Sequence, residues 1–310
     1  MPLISICIPA YKRVNYLQRL LDSIALQTFR DFEVVITDDS PDDSVKSLVE
    51  NYRMSFPIFY FHNQKAKGTP ANWNEGISKA KGDWIKLIHD DDWFTTNESL
   101  GIFAAHTKGN STFIFSAYAN CVNGESVGEV KRLGNSWKQR ITREPMTLLA
   151  YNVIGPPSVI MVHKSVKETY DEQMKWRVDM DFYVRLLLQD NNYTYINEVL
   201  INVGISKTQV TNECFQNPFV ELPEGFLLLE KYGSRRLENI WVYDAWWRLL
   251  RNMHITTVQQ LAKYQPSSWP PVIITMTRHL KKMPGFVLKF GPFSKFAMLL
   301  SWFLNQHKGS

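Results

Sequence analysis

Cysteine is scarce in this chain. Cys7, Cys121 and Cys214 are odd in number, far apart and never part of a C-x-x-C pair. They exclude a disulfide framework and a cysteine-built zinc site, and read as free thiols in a reducing, cytoplasmic compartment. Long apolar runs are missing as well: no stretch approaches the roughly 20 residues that span a bilayer. The opening "MPLISICIPAYKR" has no basic residue before its apolar stretch and no small-residue cleavage site after it, so it reads as a first strand rather than a signal peptide. No G-x-G-x-x-G follows that strand and no G-x-x-x-x-G-K-[ST] occurs anywhere, which counts against a dinucleotide-binding enzyme and a phosphate-loop nucleotidase. The seven histidines form no H-E-x-x-H and no close pair, against a zinc hydrolase. Internal repeats and low-complexity segments are absent too.

What is present is ordinary in bulk. A chain of 310 residues with 45% hydrophobic and 21% charged content buries a substantial core as one large domain or two smaller ones. The net charge of +5 is modest, and its distribution says more. Acidic clusters lie in the first hundred residues, whereas Arg278, Lys281, Lys282, Lys289, Lys295 and Lys308 stand near the end with almost no acid. Such a tail suits an anionic surface.

Along the first half, strand and helix signals alternate. "LISICIP", "FEVVITDD", "FPIFYF" and "DWIKLIHDDD" read as strands. "YLQRLLDSIALQ", with Asn15 as N-cap, "SVKSLVENY" and "TPANWNEGISKAKG", capped by Thr69 and closed by Gly82, read as the helices between them. That alternation predicts a parallel sheet covered on both faces, with ligands beyond the carboxyl ends of its strands. Three strands end in chemically loaded residues: Pro9 to Tyr11, Asp38 to Asp43, and His89 to Asp92. Beyond about residue 120 the pattern lapses. "ANCVNGESVGEVKR" predicts a hairpin turning at Asn123-Gly124, "NVIGPPSVIMVHK" a loop feeding a strand, "DMDFYVRLLLQD" a helix, and the region from Pro218 onward a set of aromatic-rich helices.

Three acidic groups carry candidate chemistry. Asp38 and Asp39 precede Ser40 and Pro41, and serve either as turn-forming acceptors for backbone N–H groups or as acceptors for a nucleobase N–H. Asp90, Asp91 and Asp92 are consecutive carboxylates in an apolar setting, and neighbours about 4 Å apart repel by roughly 4 kcal/mol at an effective dielectric near 20. They form either a solvated loop or a site for Mg²⁺ or Mn²⁺, hard cations that bridge carboxylates to a diphosphate. On a helix, Asp179 shares a face with Phe182, Tyr183 and Leu186, while Asp181 lies opposite, four residues before Arg185, and reads as an exposed ion pair. Asp179 is then an N-cap contact or a general base in a cleft.

Taken together these stretches resemble the family 2 glycosyltransferases, which have the GT-A fold: a Rossmann-like α/β architecture with a mostly parallel sheet, here followed by a helical C-terminal extension. "PAY" and "DDSPD" resemble that family's opening signatures. "GTPANWNEGISKAKGDWIKLIHDDDWF" resembles its "G-x-x-x-A-R-N-x-G … G-x-[YW]-[IV]-x-x-L-D-x-D-D" block, and "RVDMDFYVRLL" its "E-D-x-x-x-x-x-R-L" helix. The match runs from about residue 3 to 211. It implies a donor-binding half (1–120), an acceptor-binding and catalytic-base half (121–215) and a C-terminal region (216–310). Carried over by position, it implies a nucleotide-sugar site formed by Pro9, Ala10, Tyr11, Arg13, Asp38, Asp39, Gly68, Asn72, Asn74, His89 and Asp90. Asp91 is implied as ligand of a divalent Mn²⁺ or Mg²⁺ with Asp92 and Ser206 nearby, Asp179 as the base, and Gly155, Pro156, Pro157 and Trp176 as the acceptor side. Four positions depart from the pattern: His89 replaces the first Asp of D-x-D, Trp73 the Arg of A-R-N, Val178 the Glu of E-D, and Ser206 a histidine that in the family often helps bind the diphosphate.

The activity implied is inverting transfer of a sugar, from a UDP-sugar by family habit, to a hydroxyl of a polyprenyl-diphosphate-linked glycan in O-antigen, capsule or exopolysaccharide synthesis. Nucleic acid is not an expected partner. Phe286, Phe290, Phe293, Phe296, Leu300, Trp302 and Phe303 among Lys289 and Lys295 read either as a helix packed on the catalytic domain or as an in-plane membrane anchor spanning 278–305 on the inner leaflet. Two other classes compete: a nucleotidyltransferase, which calls for a Gly-rich loop that "PAYKRVN" lacks, and a binding module that has lost catalysis.

Overall fold

The computed structural model describes residues 1–122, 124–206, 213–266 and 268–306. Strands β1 (Ile4–Ala10), β2 (Phe32–Asp38), β3 (Ile58–His62) and β4 (Trp84–Leu87) lie parallel in the order 3-2-1-4. Every residue of β2 is buried, and all of β1 except Pro9, as expected of strands covered on both faces. Helices α1 (Val14–Ala25), α2 (Ser44–Glu50) and α3 (Ala71–Lys79) connect them. The register sets Ala10 beside Asp38 and Cys7 beside Leu87, so the loops leaving β1, β2 and β4 emerge at one edge of the sheet.

The second half of the sheet is mixed. Among the described residues it adds β5 (Trp93–Phe94), β6 (Phe113–Val122), β7 (Glu125–Lys131), β8 (Ile160–His163) and β9 (Tyr193–Ile205). From β4 the order continues β8-β6-β9-β5, with β7 paired to β6. Strand β8 runs antiparallel to both its neighbours, while β6 and β9 are parallel. The expected hairpin is β6–β7, with Val122 opposite Glu125; Asn123 of its turn lies outside the described residues. A G-x-S-x-G pattern at residues 124–128 falls in this hairpin rather than at the strand-to-helix turn a hydrolase nucleophile requires. Further helices are α4 (Ser99–Ala105), α5 (Asn135–Arg143) and α6 (Val178–Gln189).

Two helix starts differ from expectation. Helix α1 begins at Val14, with Arg13 at the N-cap, so Asn15 lies inside the first turn. Helix α3 begins after Pro70 and ends at Lys79; the N–H of Asn72 in its first turn goes to Gly68 O at 2.8 Å, and Thr69 does not cap it. Gly82 is not a helix stop but a contact point. A Cβ there would lie 2.6 Å from Ser5 N on β1, so only glycine lets the chain enter β4 this close to its neighbour.

The chain divides into two units. The first holds the sheet, as Met1–Thr142, Val153–Glu172 and Phe182–Gln209; the second comprises Arg143–Asn152, Gln173–Asp181 and Val210–Ser310. The second unit carries α7 (Pro218–Tyr232), α8 (Ile240–Asn252), α9 (Val258–Tyr264), α10 (Pro271–Lys282), α11 (Gly285–Lys289) and α12 (Gly291–Gln306). Polar caps start three of them: Asn217 for α7, Asn239 for α8, and a Thr257–Gln260 capping box for α9.

Helix α12 is packed inside out. Its inward residues are Ser294, Ala297, Met298 and Ser301. Small side chains let α12 approach α8 closely, and the hydroxyls find partners: Ser294 accepts from Trp247 Nε1 (3.2 Å) and Arg251 Nη1 (2.8 Å), while Ser301 shares hydrogen bonds with Tyr243 Oη (2.6 Å) and His279 Nδ1 (2.7 Å). The outward side is apolar. Phe296 is 70% exposed, and Phe293, Leu299, Leu300, Phe303 and Leu304 are exposed with it, as are Phe286 (69%) on α11 and Phe290 between the two helices. No helix among the described residues is long and apolar enough to cross a membrane.

Candidate active site

The end of β4 turns sharply, with Asp92 N donating to His89 O at 3.1 Å and His89 N donating to Ser158 Oγ at 2.9 Å. This turn carries Asp90, Asp91 and Asp92, which are 2%, 6% and 2% exposed; the three carboxylates are not a solvated loop. Their repulsion is offset from within the protein. Arg13, on the loop leaving β1, grips Asp90 through Nε (3.2 Å) and Nη2 and reaches Asp91 Oδ2 through Nη1 at 3.0 Å, a forked charge-assisted contact. Asp92 accepts from Gly204 N at 2.9 Å. Beneath the turn Lys86 is fully buried, its ammonium donating to Ser158 O.

Burial dominates the titration of this cluster. It raises Asp90 to about 7 against the pull of Arg13, and lowers His89 to about 4 and Lys86 to about 7. Asp92 is raised well above the ordinary carboxylate range by burial and then by Asp91.

Ligand atoms of His89, Asp91 and Asp92 all lie within 4.8 Å of one another, and His89 Nε2 is buried with no hydrogen-bond partner. A ring nitrogen of His89 set close to two carboxylates fits a divalent cation. Behind the turn Arg19 stacks its guanidinium on Trp93 at 3.6 Å and donates to Asp91 O at 2.8 Å. Gly204 approaches the same carbonyl so closely that a Cβ would sit 2.3 Å from it. Gly204→Ala is therefore expected to push the Asp91 turn out of place and cut activity by at least about tenfold while the sheet stays folded, as read by turnover beside circular dichroism. Ser206 lies in the same crevice as Asp91, Arg19 and Gly204; residues 207–212, which include the rest of the "SKTQVT" stretch, lie outside the described residues.

At the end of β2 the two acids act differently. Asp38 is fully buried and accepts from Ser40 N (2.8 Å) and Tyr60 Oη (2.7 Å). Asp39 gathers the 63–68 loop, accepting from Asn63 Nδ2 (2.8 Å), Lys67 N (3.0 Å) and Gly68 N (2.8 Å). Lys12 N, after β1, donates to Ser40 Oγ at 2.8 Å, which ties the β1 and β2 loops together; Tyr11 beside it is 50% exposed, while Ala10 is buried and Pro9 partly so. Asn72 is buried and spends its amide on Thr37 O and Asn63. Asn74 clamps Tyr170 through both N and O. Gly155 and Pro157 are buried, Pro156 is partly exposed, and Gly155 O accepts from Tyr183 Oη at 3.1 Å.

In the second unit, Asp179 sits in the first turn of α6, accepting from Asn152 Nδ2 and from Met180 N, both at 2.8 Å. Burial lifts its carboxyl to about 7, with the charge of Glu224 adding to the rise. Glu224 takes the free N–H groups of Lys175, Trp176 and Arg177 just before the helix, with contacts of 2.7, 3.0 and 2.7 Å. Asp181 overturns its expected role. It is fully buried, paired with Lys231 Nζ at 2.8 Å and Tyr232 Oη at 2.7 Å, and Arg185 binds Glu168 instead. A helical wheel assumes one dry face, and here α7 supplies a cation to the other.

The sequence model of Glycosyl transferase family 2 matches residues 5–166, over half of the chain. The chain belongs to this family. An uncharacterized glycosyltransferase of Haemophilus influenzae is 36% identical over 203 residues, 64% of this chain and 67% of that one. The putative colanic acid biosynthesis glycosyl transferase WcaA of Escherichia coli is 26% identical over 68% of this chain and 76% of its own. A Campylobacter jejuni GalNAc(5)-diNAcBac-PP-undecaprenol beta-1,3-glucosyltransferase is 36% identical over 94 residues, which span only 30% of either chain. Among solved structures, Staphylococcus aureus TarS 1–349 in complex with UDP-GlcNAc aligns with 99% of this chain and 92% of its own at TM-score 0.59 and 16% identity. The Pyrobaculum calidifontis mannosyltransferase PcManGT, solved with GDP-Man and Mn²⁺, aligns with 100% of this chain and 88% of its own at TM-score 0.56 and 12% identity. The sheet is that of the GT-A fold, and this glycosyltransferase places its acidic turn at the end of β4.

Arg19, Lys86, Ser158 and Glu224 escaped the sequence reading. Lys86 alone left a signal, as a lysine inside the apolar run "WIKLI".

Proposed function

We propose that this glycosyltransferase moves a sugar, with inversion, from a nucleoside diphosphate, UDP first, to a hydroxyl of a polyprenyl-diphosphate-linked glycan in surface-polysaccharide synthesis. The observation that carries the reading is the turn His89–Asp92, where an imidazole nitrogen and two buried carboxylates lie within 4.8 Å of one another. Relatives named for a lipid-linked acceptor and for polysaccharide synthesis, and neighbours solved with sugar nucleotides, point the same way.

Residues 1–120 form the donor half. Tyr11 and the loop gathered by Asp39 receive the nucleoside, and Asp90 lies toward the ribose and sugar. Asp91, with Asp92 nearby, would hold a divalent cation, which when bound stabilises the charge that grows on the departing diphosphate. Residues 121–215 receive the acceptor, with Gly155, Pro156, Pro157 and Trp176 on that side. Asp179 removes the proton of the acceptor hydroxyl as its oxygen bonds to C1 of the sugar. The C1–O bond to the diphosphate breaks on the opposite face, and its electron pair leaves with the nucleoside diphosphate. A carboxyl near pKa 7 holds that proton better than an ordinary aspartate, and Asn152 fixes its direction.

A panel of sugar nucleotides assayed with lipid-linked and free glycan acceptors tests this directly. Nucleotide binding without turnover against every acceptor would leave a binding module instead.

The reading also includes the inner leaflet of the membrane as a partner of residues 278–305. Exposed Arg278, Lys281, Lys282, Lys289 and Lys295 flank the outward phenylalanines of α11 and α12, which suits anionic headgroups above an apolar interface. Removing the tail would strip Tyr243 and Trp247 of their partners, so point changes are the cleaner probe. Phe286, Phe290, Phe293 and Phe296, all replaced by Ser, are expected to lower partition onto anionic vesicles by at least about tenfold with unchanged thermal stability. Undiminished vesicle binding in a flotation assay would remove the membrane from this account.

A further inference from the structure

Two of the departures from the family pattern, Trp73 and His89, touch each other. The ring of Trp73 lies 4.7 Å from that of His89, tilted by 40°, and Trp73 is itself braced edge-on by Tyr170 at 5.1 Å. With the backbone N–H of His89 held by Ser158, the imidazole is fixed at both ends. A histidine kept only for packing normally satisfies its ring nitrogens, yet His89 Nε2 is buried and unpartnered, and a ring nitrogen of His89 lies within 4.8 Å of carboxylate oxygens of Asp91 and Asp92.

The geometry points to His89 as a direct ligand of the divalent cation, so that one nitrogen and two carboxylates make a site that selects a transition-metal ion over Mg²⁺. This rests on the metal reading above and goes further, in the identity of one ligand and in the selectivity that follows from it. Mg²⁺ favours all-oxygen octahedra and retains its water, whereas Mn²⁺ and the later divalent ions accept imidazole. Trp73 then has a clear purpose. Its ring takes the place of an arginine that would repel the ion, and it sets the plane of the ligand.

The test uses the full chain and metal alone. Mn²⁺ binding is followed by electron paramagnetic resonance, ¹⁴N coupling by electron spin-echo modulation, and Mg²⁺ affinity by displacement of Mn²⁺. The expected result is one coordinated ¹⁴N, replaced by a ¹⁵N signal when only histidine is ¹⁵N-labelled. In His89→Asp the nitrogen coupling is expected to vanish, and the preference for Mn²⁺ over Mg²⁺ to fall at least about tenfold. Stoichiometric Mn²⁺ without nitrogen coupling overturns this inference and leaves the carboxylate site standing. Absence of Mn²⁺ binding up to millimolar concentration overturns both. The wild-type spectra decide the matter even if the variant does not fold.

Discussion

Asp179→Asn is expected to cut sugar transfer by about 10²- to 10⁴-fold while nucleotide-sugar affinity stays within about twofold, because the side chain keeps its shape and loses only its capacity to take a proton. Isothermal titration and single-turnover assays on one preparation separate the two effects. In the unsubstituted enzyme kcat/KM should rise with pH and level off above about 7, where the Asp179 carboxylate is ionised; the variant should lack that limb. Stability gives a second reading. The folded-state carboxyl titrates at about 7 against an ordinary 3.8, so between those values the native state binds more protons than the unfolded chain. Stability contributed at this position falls as pH rises through that window. Asn removes the penalty. Its stability advantage should be absent below about pH 4, grow to about pH 7 and stay constant above, on the order of 4 kcal/mol for a carboxyl raised from 3.8 to about 7. A variant-minus-wild-type Tm difference that is the same at pH 4 and pH 8 would refute the raised carboxyl, and wild-type turnover would take Asp179 out of the chemistry.

Asp91→Ala carries the other large effect. Losing a partner that merely orients a metal ligand costs about 10- to 100-fold in affinity, and loss of a ligand itself should exceed that for Mn²⁺ binding, with transfer falling at least as far. The fold should hold. Arg13 keeps Asp90 as its partner, and removing one of three adjacent carboxylates relieves repulsion. Thermal melts within a few degrees of wild type would assign the lost activity to the site. A variant that stays active and insensitive to EDTA would refute the metal role.

The first half of the sheet was legible because its strands are buried on both faces: "LISICIP" and "FEVVITDD" read as continuous apolar runs, and each ends where the sheet meets its loops. The acids at those ends were visible as breaks in that pattern. The cation that balances them was not. Arg13 lies 77 residues from Asp90, and nothing local marks the two as partners. Asp181 failed for a related reason, since its partners Lys231 and Tyr232 sit 50 and 51 residues away on α7. The helix starts at Asn15 and Thr69 were misplaced because a good capping residue is a preference of about 1 kcal/mol, easily overruled by how the preceding loop must run. Periodicity shows which residues are dry, and long-range pairing decides which charges are tolerable there.

The packing of α12 has a practical corollary. By turning its serines toward α8 and its phenylalanines outward, this helix leaves an oily edge on the polypeptide whenever it is surrounded by water alone. How the purified enzyme behaves, whether dispersed, clustered or stuck to the column, should then depend on which amphiphile the preparation supplies.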